Sequence, residues 1–475
     1  MIWKTAWKNV WRNRVRSLVV IASVTIGIFA GVFSIAFMNG MIAQRIDAAI
    51  NEEISHIQIT GKEYSLNNDP GIIITHRDSV ISGITKLTGI AGMVERTIIS
   101  GMAGTATKSA GVHIIGINPE MEKNIFTLDK TIMAGTGDYF EKESKYDLAL
   151  LGQDLAKELN IIRYTIDSTV LENLRIRKIP ATTLEKLNPI AGIRFTNEKK
   201  FKKRINSLLS KKEGNKYGYQ IRNGAWSFRE GSKMTLTFLD KDNNQVDVVF
   251  RLAGIYDIKN TMYEQSRVFV KDTDLKRLTG MDKDSFHQVI VRINDINQTE
   301  EITKVLKERL PEYEIVSWKD LQPDLAMMTD YVHQMYAFFM AIILAALAFG
   351  IINTMLMVVL ERTKELGMLT AIGMNKKKVF SMIMLESIFL SVIGGVTGMI
   401  AGWAAVLLSA RNGINFARYA EGMEAFGYSA HVFPEITVTF FIMITIMIII
   451  TGIVSSIYPA LKALRLDPAE AIRTE

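Results

Sequence analysis

Six histidines, His56, His76, His113, His287, His333 and His431, are the residues best suited to metal or acid–base chemistry, and none has a second ligand at a useful spacing. The sequence contains no H-E-x-x-H pair for zinc, no G-x-x-x-x-G-K-[ST] loop to cradle phosphates and no G-x-S-x-G elbow to present a serine. Cysteine is absent, so neither thiol chemistry nor a disulfide is available. The chain therefore reads as a non-enzyme with no metal site of its own. The spacing that does suggest an interaction lies in "ERTKELGMLTAIGMNKKKVF", Glu361 to Phe380. There Arg362 and Glu365 can pair on one helical face, and Leu366, Leu369 and Ile372 recur at the same spacing as a short apolar ridge. Gly373 then closes the helix, and Lys376, Lys377 and Lys378 begin the next apolar run. A charged start followed by one apolar ridge suits a groove in a partner protein, whereas a tight turn would not require the ridge.

That segment is positioned by long apolar runs. Leu18 to Gln44, Tyr331 to Leu360 and Ile436 to Leu461 contain no Asp, Glu, Lys or Arg, and between Lys378 and Arg411 the one charge is Glu386. Each run exceeds the roughly 20 residues that cross a ~30 Å hydrocarbon layer as a helix. Four transmembrane helices are expected, at 17–44 and at about 331–360, 379–410 and 436–461. The first run is too long for the h-region of a signal peptide and is read as a retained anchor. Before it, "MIWKTAWKNVWRNRVRS" places Trp3, Trp7 and Trp11 on one helical face beside Lys4, Lys8 and Arg12. This pattern predicts an interfacial helix over 1–16, or tryptophans packed against other helices.

Lys and Arg concentrate in the leader, in the 361–380 segment and in the tail (Lys462, Arg465, Arg473), while Ser409 to Glu435 has two basic residues against three acids. By the positive-inside rule both termini and the charged segment are cytoplasmic, and residues 45–330 lie across the membrane. In the third span Gly394, Gly398 and Gly402 are four apart, a pattern that lets helix backbones approach closely. Glu386 and Asn353 are polar groups within spans; such residues face a bundle interior or mark a function.

Residues 45–330 alternate strand-like and helix-like patterns, so a large α+β extracytoplasmic domain inserted between the first and second spans is expected. "EISHIQIT", "GVHIIGI", "QVDVVFRLAGIYD" and "FHQVIVRIND" read as strands, "DSVISGITKLTG" and "LALLGQDLAKELN" as strand or helix pieces, and "TEEITKVLKERLPEY" as a helix stopped by Pro311. One segment differs in charge. From Ile161 to Phe228 there are 15 Lys/Arg and 5 Asp/Glu, a net of +10, against +7 for the whole chain. It is either a solvated helical face or a surface for anionic headgroups or an acidic partner. A nucleic-acid partner is not expected across the membrane.

"ERTKELGMLTAIGMNKKKVFSMIMLESIFLSVIGGVTGM" after a span bearing "NTMLMVVL", together with the terminal "GIVSSIYPALKALRLDPAEAIR", resembles the permease family of ATP-driven (ABC) transporters that includes MacB, FtsX and the LolC and LolE proteins. "DLALLGQDLAKELN", "FREGSKMTLTF" and "FRLAGIYD" resemble consecutive pieces of the extracytoplasmic domain of that family, which makes 161–228 an insertion. The resemblance implies an FtsX-like permease domain over 331–475, a bacterial inner-membrane location with a periplasmic domain at 45–330, and a cytoplasmic coupling helix at 361–373. On that helix, contact with a separate ABC ATP-binding subunit would fall to Glu361, Arg362, Glu365, Leu366, Gly367, Leu369, Ala371, Ile372 and Gly373. ATP and Mg would belong to that subunit, with no cofactor in this chain. It further implies mechanotransmission, a second permease copy or a paralogue, and membrane lipids as surroundings. "FMNGM" near the end of the first span is similar to the LolC and LolE pattern, which favours a lipoprotein or another amphiphile as cargo. A MacB-like efflux or peptide-resistance permease and an FtsX-like regulator of a cell-wall hydrolase are the alternatives.

Overall fold

The computed structural model describes residues 2–64, 69–140, 144–176 and 179–464. They separate into two compact units, one made of the helices from both ends of the chain, the other of Asp47–Gln322 with residues 421–428. The first begins with α1 (Ile2–Arg12), breaks at Asn13 and continues as α2 (Arg14–Ala48). Ser17 ties the two helices at the break, its hydroxyl donating to the Val10 carbonyl at 2.5 Å.

The inserted unit starts with β1 (Ile57–Gly61), α3 (Arg77–Thr85) and the long β2 (Ile90–Gly104). Next come β3 (Ser109–Ile117), β4 (Leu148–Gly152) and α4 (Gln153–Glu158). A helical excursion follows, entered by β5 (Ile162–Tyr164), carrying α5 (Ser168–Ile176), α6 (Glu198–Leu208) and α7 (Lys211–Ala225), and left by β6 (Trp226–Phe228). The chain then makes β7 (Lys233–Leu239), β8 (Gln245–Tyr256), β9 (Arg267–Lys271), β10 (Gln288–Ile293), α8 (Thr299–Arg309) and β11 (Tyr313–Ser317).

These strands form one sheet system in the order β11-β1-β10-β2-β3-β9-β4-β8-β7. Its first four strands are all antiparallel neighbours, and with α3 and α8 they make two βαβ units in the ferredoxin-like arrangement. Ile57, Ile59, Val80, Ile84, Val289, Val291 and Leu306 fill the core between that sheet and its two helices. The remaining strands close on themselves, because β7 pairs not only with β8 but with the far half of β2. Gly101 permits the closure: a Cβ there would stand 2.5 Å from the Thr237 carbonyl oxygen. Strand β2 therefore serves both layers, which its length allows. At the changeover Arg96 is buried in an ion pair with Glu122, its guanidinium 4.3 Å from the centre of the Phe126 ring.

The excursion over 161–228 begins and ends on neighbouring strands. β5 pairs antiparallel with β6, Ile162 opposite Phe228, so the segment leaves and returns at one place. It has its own core, with Leu174, Leu184, Leu187, Phe201, Ile205 and Ile221 all buried. The strand expected from Glu53 begins only at Ile57, because Ala49–Glu53 is a π-helical turn.

The helical unit resumes with α9 (Pro323–Glu361), α10 (Thr363–Ala371), α11 (Lys376–Asn412) and α12 (Val438–Leu464). Among the described residues, α2, α9, α11 and α12 are the four helices long and apolar enough to cross a membrane. Several extend past the apolar runs that predicted them. α9 has 39 residues and so measures roughly 58 Å at 1.5 Å per residue, because its polar first turns continue the helix ahead of Tyr331. The tail residues Arg465 and Arg473, and the terminal motif beyond Leu464, lie outside the described residues.

Candidate functional site

The loop between α9 and α11 folds as the expected short helix, α10, with bounds a residue or two inside 361–373. Gly373 follows it at φ +93°, a left-handed conformation that favours glycine. Its amide donates to the Thr370 carbonyl at 3.1 Å and closes the last turn. Asn375 then caps α11, its side-chain oxygen accepting from the Lys377 amide at 2.9 Å.

The apolar ridge is divided between two faces. Leu366 is 4% exposed and belongs to the buried cluster of the helical unit, with Leu369 packed against it, and Gly367 is buried beside them. Met368 is 50% exposed and Ile372 86%, and Ala371, Gly373, Lys364 and Glu361 are also exposed. Leu366 thus faces the hydrophobic cluster between the spans and not solvent, and Leu369 is half-buried against the same cluster. The outward face is Lys364, Met368, Ala371 and Ile372, related by steps of about one turn.

On the clamped side a chain of charges holds α10. Arg362 donates from Nε to Glu365 at 3.0 Å and from Nη1 to Glu386 of α11 at 3.2 Å. Glu365 also accepts both of its oxygens' bonds from Arg12 of α1, at 2.8 and 2.9 Å. Asn9 donates to Glu386 at 2.7 Å, and Arg16 donates to Glu361 at 2.5 Å. Burial pushes the Glu365 carboxyl up, but the Arg12 and Arg362 hydrogen bonds outweigh it and hold the group below the usual carboxylate range. Glu386 is 4% exposed, so a charge in that position needs these partners. Asn353 is exposed on α9 and joins no such network among the described residues.

α1 completes the arrangement. Trp3 and Trp7 both meet Phe389 of α11 edge to face, with ring centroids 4.7 and 5.4 Å apart, while remaining substantially exposed. The two readings of the tryptophan face are thus compatible, since Trp3 and Trp7 pack against Phe389 and still keep much of their surface exposed. Sequence spacing did not show that Asn9, Arg12 and Arg16 meet 361–386, because the partners are about 350 residues apart. The available signal was charge sign: Glu361, Glu365 and Glu386 lie in or beside the segment expected on the same side of the membrane as a strongly basic leader.

The three spaced glycines of α11 lie against α2. A Cβ at Gly394 would stand 2.7 Å from the Val24 Cβ, one at Gly398 2.7 Å from the Thr25 carbonyl oxygen, and one at Gly402 2.7 Å from a Val32 methyl. The Thr25 hydroxyl reaches across to the Thr397 hydroxyl at 2.7 Å. This close backbone contact packs α11 against α2 as well as against α1.

A helical membrane anchor with a clamped loop helix is the class that this geometry defines. Residues 337–468 match the family profile "FtsX-like permease C-terminal", and this stretch is an FtsX-like permease domain. The chain is 27% identical over 307 residues to the uncharacterized ABC transporter permease MJ1507 of Methanocaldococcus jannaschii, covering 60% of this chain and 73% of that protein. It is 29% identical over 246 residues to the macrolide export ATP-binding/permease protein MacB of Bdellovibrio bacteriovorus, covering 48% and 35%. With the lipoprotein-releasing system transmembrane protein LolC of Xylella fastidiosa it shares 22% over 235 residues, covering 48% and 55%. The chain thus spans only about a third of MacB and about half of LolC. Among solved structures, the extracellular domain of the ABC-type transporter YknZ aligns to 55% of this chain and 98% of its own, with a TM-score of 0.28 and 10% identity.

Proposed function

We propose that this chain is the permease subunit of an ATP-driven transporter and that α10 is the element on which a separate ATP-binding subunit acts. The observation that carries the reading is the two-sidedness of α10: Leu366 and Gly367 are buried and Arg362 and Glu365 are bound to other helices, while Met368, Ala371 and Ile372 are apolar and exposed. A force on the outward face must displace Arg362 and Glu365, and through them Glu386 of α11 and Arg12 of α1. The contact of Gly394, Gly398 and Gly402 with α2 carries the displacement to the helix that leads into the inserted domain. ATP and Mg bind on the partner, and this chain supplies the lever.

In this reading both termini and α10 are cytoplasmic, the inserted domain is extracytoplasmic, the membrane is the bacterial inner membrane, and two permease copies or paralogues work together. The cargo is a lipoprotein or another amphiphile taken from the outer leaflet, a reading supported by the similarity to LolC. A second reading, efflux of a small molecule or peptide, is supported by the similarity to MacB at higher identity.

Met368→Asp combined with Ile372→Asp tests the docking. Both side chains are exposed, so the helical unit should keep its thermal transition in detergent. Co-purification of the ATP-binding protein that accompanies the wild-type chain should fall by about tenfold or more, the effect of losing two apolar anchors from an interface. Undiminished co-purification would overturn the assignment. Leu366→Asp is unsuitable, because it buries a charge in the helix cluster. To separate the cargo readings, the purified complex in proteoliposomes is given ATP with an acylated lipoprotein embedded in the bilayer. Release that requires ATP supports the first reading, and retention with ATP-dependent small-molecule export supports the second.

A further inference from the structure

The basic excursion carries a groove that the permease reading does not use. It lies between α6 and α7, has a volume of about 450 Å³, and is lined by Lys202, Asn206, Lys211, Asn215, Tyr219 and Arg222 above a floor of Ile205, Leu209, Gly214 and Gly218. Three cations line it and no carboxylate does. Arg222 is held in place by Glu198 at 3.0 Å, whereas Lys202 and Lys211 have no acidic partner within ion-pairing distance among the described residues. Lys199, Lys200, Lys203, Arg204, Lys212 and Lys216 are exposed on the same two helices, so the field around the groove is strongly positive.

The floor glycines point to occupancy. A glycine inside a helix costs about 1 kcal/mol relative to alanine, and α7 carries Gly214, Gly218 and Gly224. Packing accounts for Gly224, where a Cβ would stand 2.9 Å from a Leu174 methyl. It does not account for the other two. A Cβ at Gly218 would meet nothing within 4 Å, and one at Gly214 only the Asn206 side-chain oxygen at 3.8 Å. The missing side chains leave the groove open.

We propose that this groove binds the glycerol-phosphate headgroup of an anionic amphiphile. The phosphate would sit among Lys202, Lys211 and Arg222, and the hydroxyls would meet Asn206, Asn215 and the phenol of Tyr219, which is 70% exposed. The polar lining argues against an apolar helix as occupant, since Ile205 and Leu209 lie at the bottom and offer little area. The proposal stands whether or not the chain is a transporter.

The test uses the full chain in phosphatidylcholine nanodiscs, titrated by calorimetry with glycerophosphoglycerol, glycerophosphocholine, inorganic phosphate and hexaglutamate. Glycerophosphoglycerol should bind most tightly and weaken as salt is raised. The exposed double substitution Lys202→Ala with Lys211→Ala should reduce its affinity about tenfold or more, and Gly218→Leu should do the same by filling the groove. Several results would overturn the proposal: equal binding of glycerophosphocholine, equal binding of inorganic phosphate, tighter binding of hexaglutamate, or unchanged affinity in the lysine double variant. The last does not depend on how Gly218→Leu folds.

Discussion

Arg362→Met is expected to lower the stability of the helical unit by about 3 kcal/mol or more, the usual consequence of removing one member of a buried ion pair. Glu386 has little exposure, and loss of Arg362 would leave Asn9 as its remaining hydrogen-bond partner. Glu365 would keep only Arg12, on the more exposed side. The thermal transition of the purified chain in detergent should fall accordingly. A compensating Glu386→Leu in the same chain should recover most of the loss, because an apolar pair can replace a buried ionic one at little or no cost. The same double variant should still be defective in coupling, since α10 would no longer be fastened to α11. Equal transitions for the single and double variants would show that Glu386 is not held by Arg362.

The second large effect is expected at Gly398. A Cβ at this position stands 2.7 Å from the Thr25 carbonyl oxygen and 2.8 Å from the Ile28 Cβ, so even the first atom of a side chain must push α2 and α11 apart. Gly398→Leu adds three further carbons and should cost at least the 1–3 kcal/mol typical of overpacking, more if the helices separate. Gly350→Leu is the matched comparison. It places the same side chain in α9, where a Cβ would meet nothing within 4 Å, and should leave the transition nearly unchanged. If both variants melted alike, the glycine contact would not be what holds the two spans together.

Much of this architecture was legible because membranes impose a simple code. A run such as Leu18 to Gln44 without a charge can hardly be anything but a spanning helix, and three such runs, with a fourth interrupted only by Glu386, marked out the helical unit. The inserted domain was legible only as a class. Period-two patterns located β1, β8 and β10, but nothing local in "IAGMVERTIISGMAG" shows that β2 runs on through two layers. Its pairings with β10, β3 and β7 involve residues up to about 200 positions away.

For the candidate site, the pairing of Arg362 with Glu365 and the end of the helix at Gly373 followed from spacing alone. The orientation of the helix did not. Leu366, Leu369 and Ile372 look like one ridge at three-residue steps, yet three residues make less than one turn, so the ridge winds round the helix. Its start is buried and its end exposed. Met368 stood in the sequence four residues from both Lys364 and Ile372, which is the spacing of the face that points outward. The partners of Glu386 were invisible for a different reason, since an ion pair between Arg362 and a residue two turns into the next span depends on the loop geometry.

The claim that α10 receives force through its outward face is tested most directly by crosslinking. Met368 and, separately, Leu366 are replaced by the photoreactive residue p-benzoylphenylalanine in the complex with the ATP-binding protein, and the complex is irradiated. Position 368 should yield a covalent adduct with that protein in high proportion, and position 366 should yield only internal adducts within this chain. Adducts to the ATP-binding protein from position 366 and none from position 368 would contradict the account.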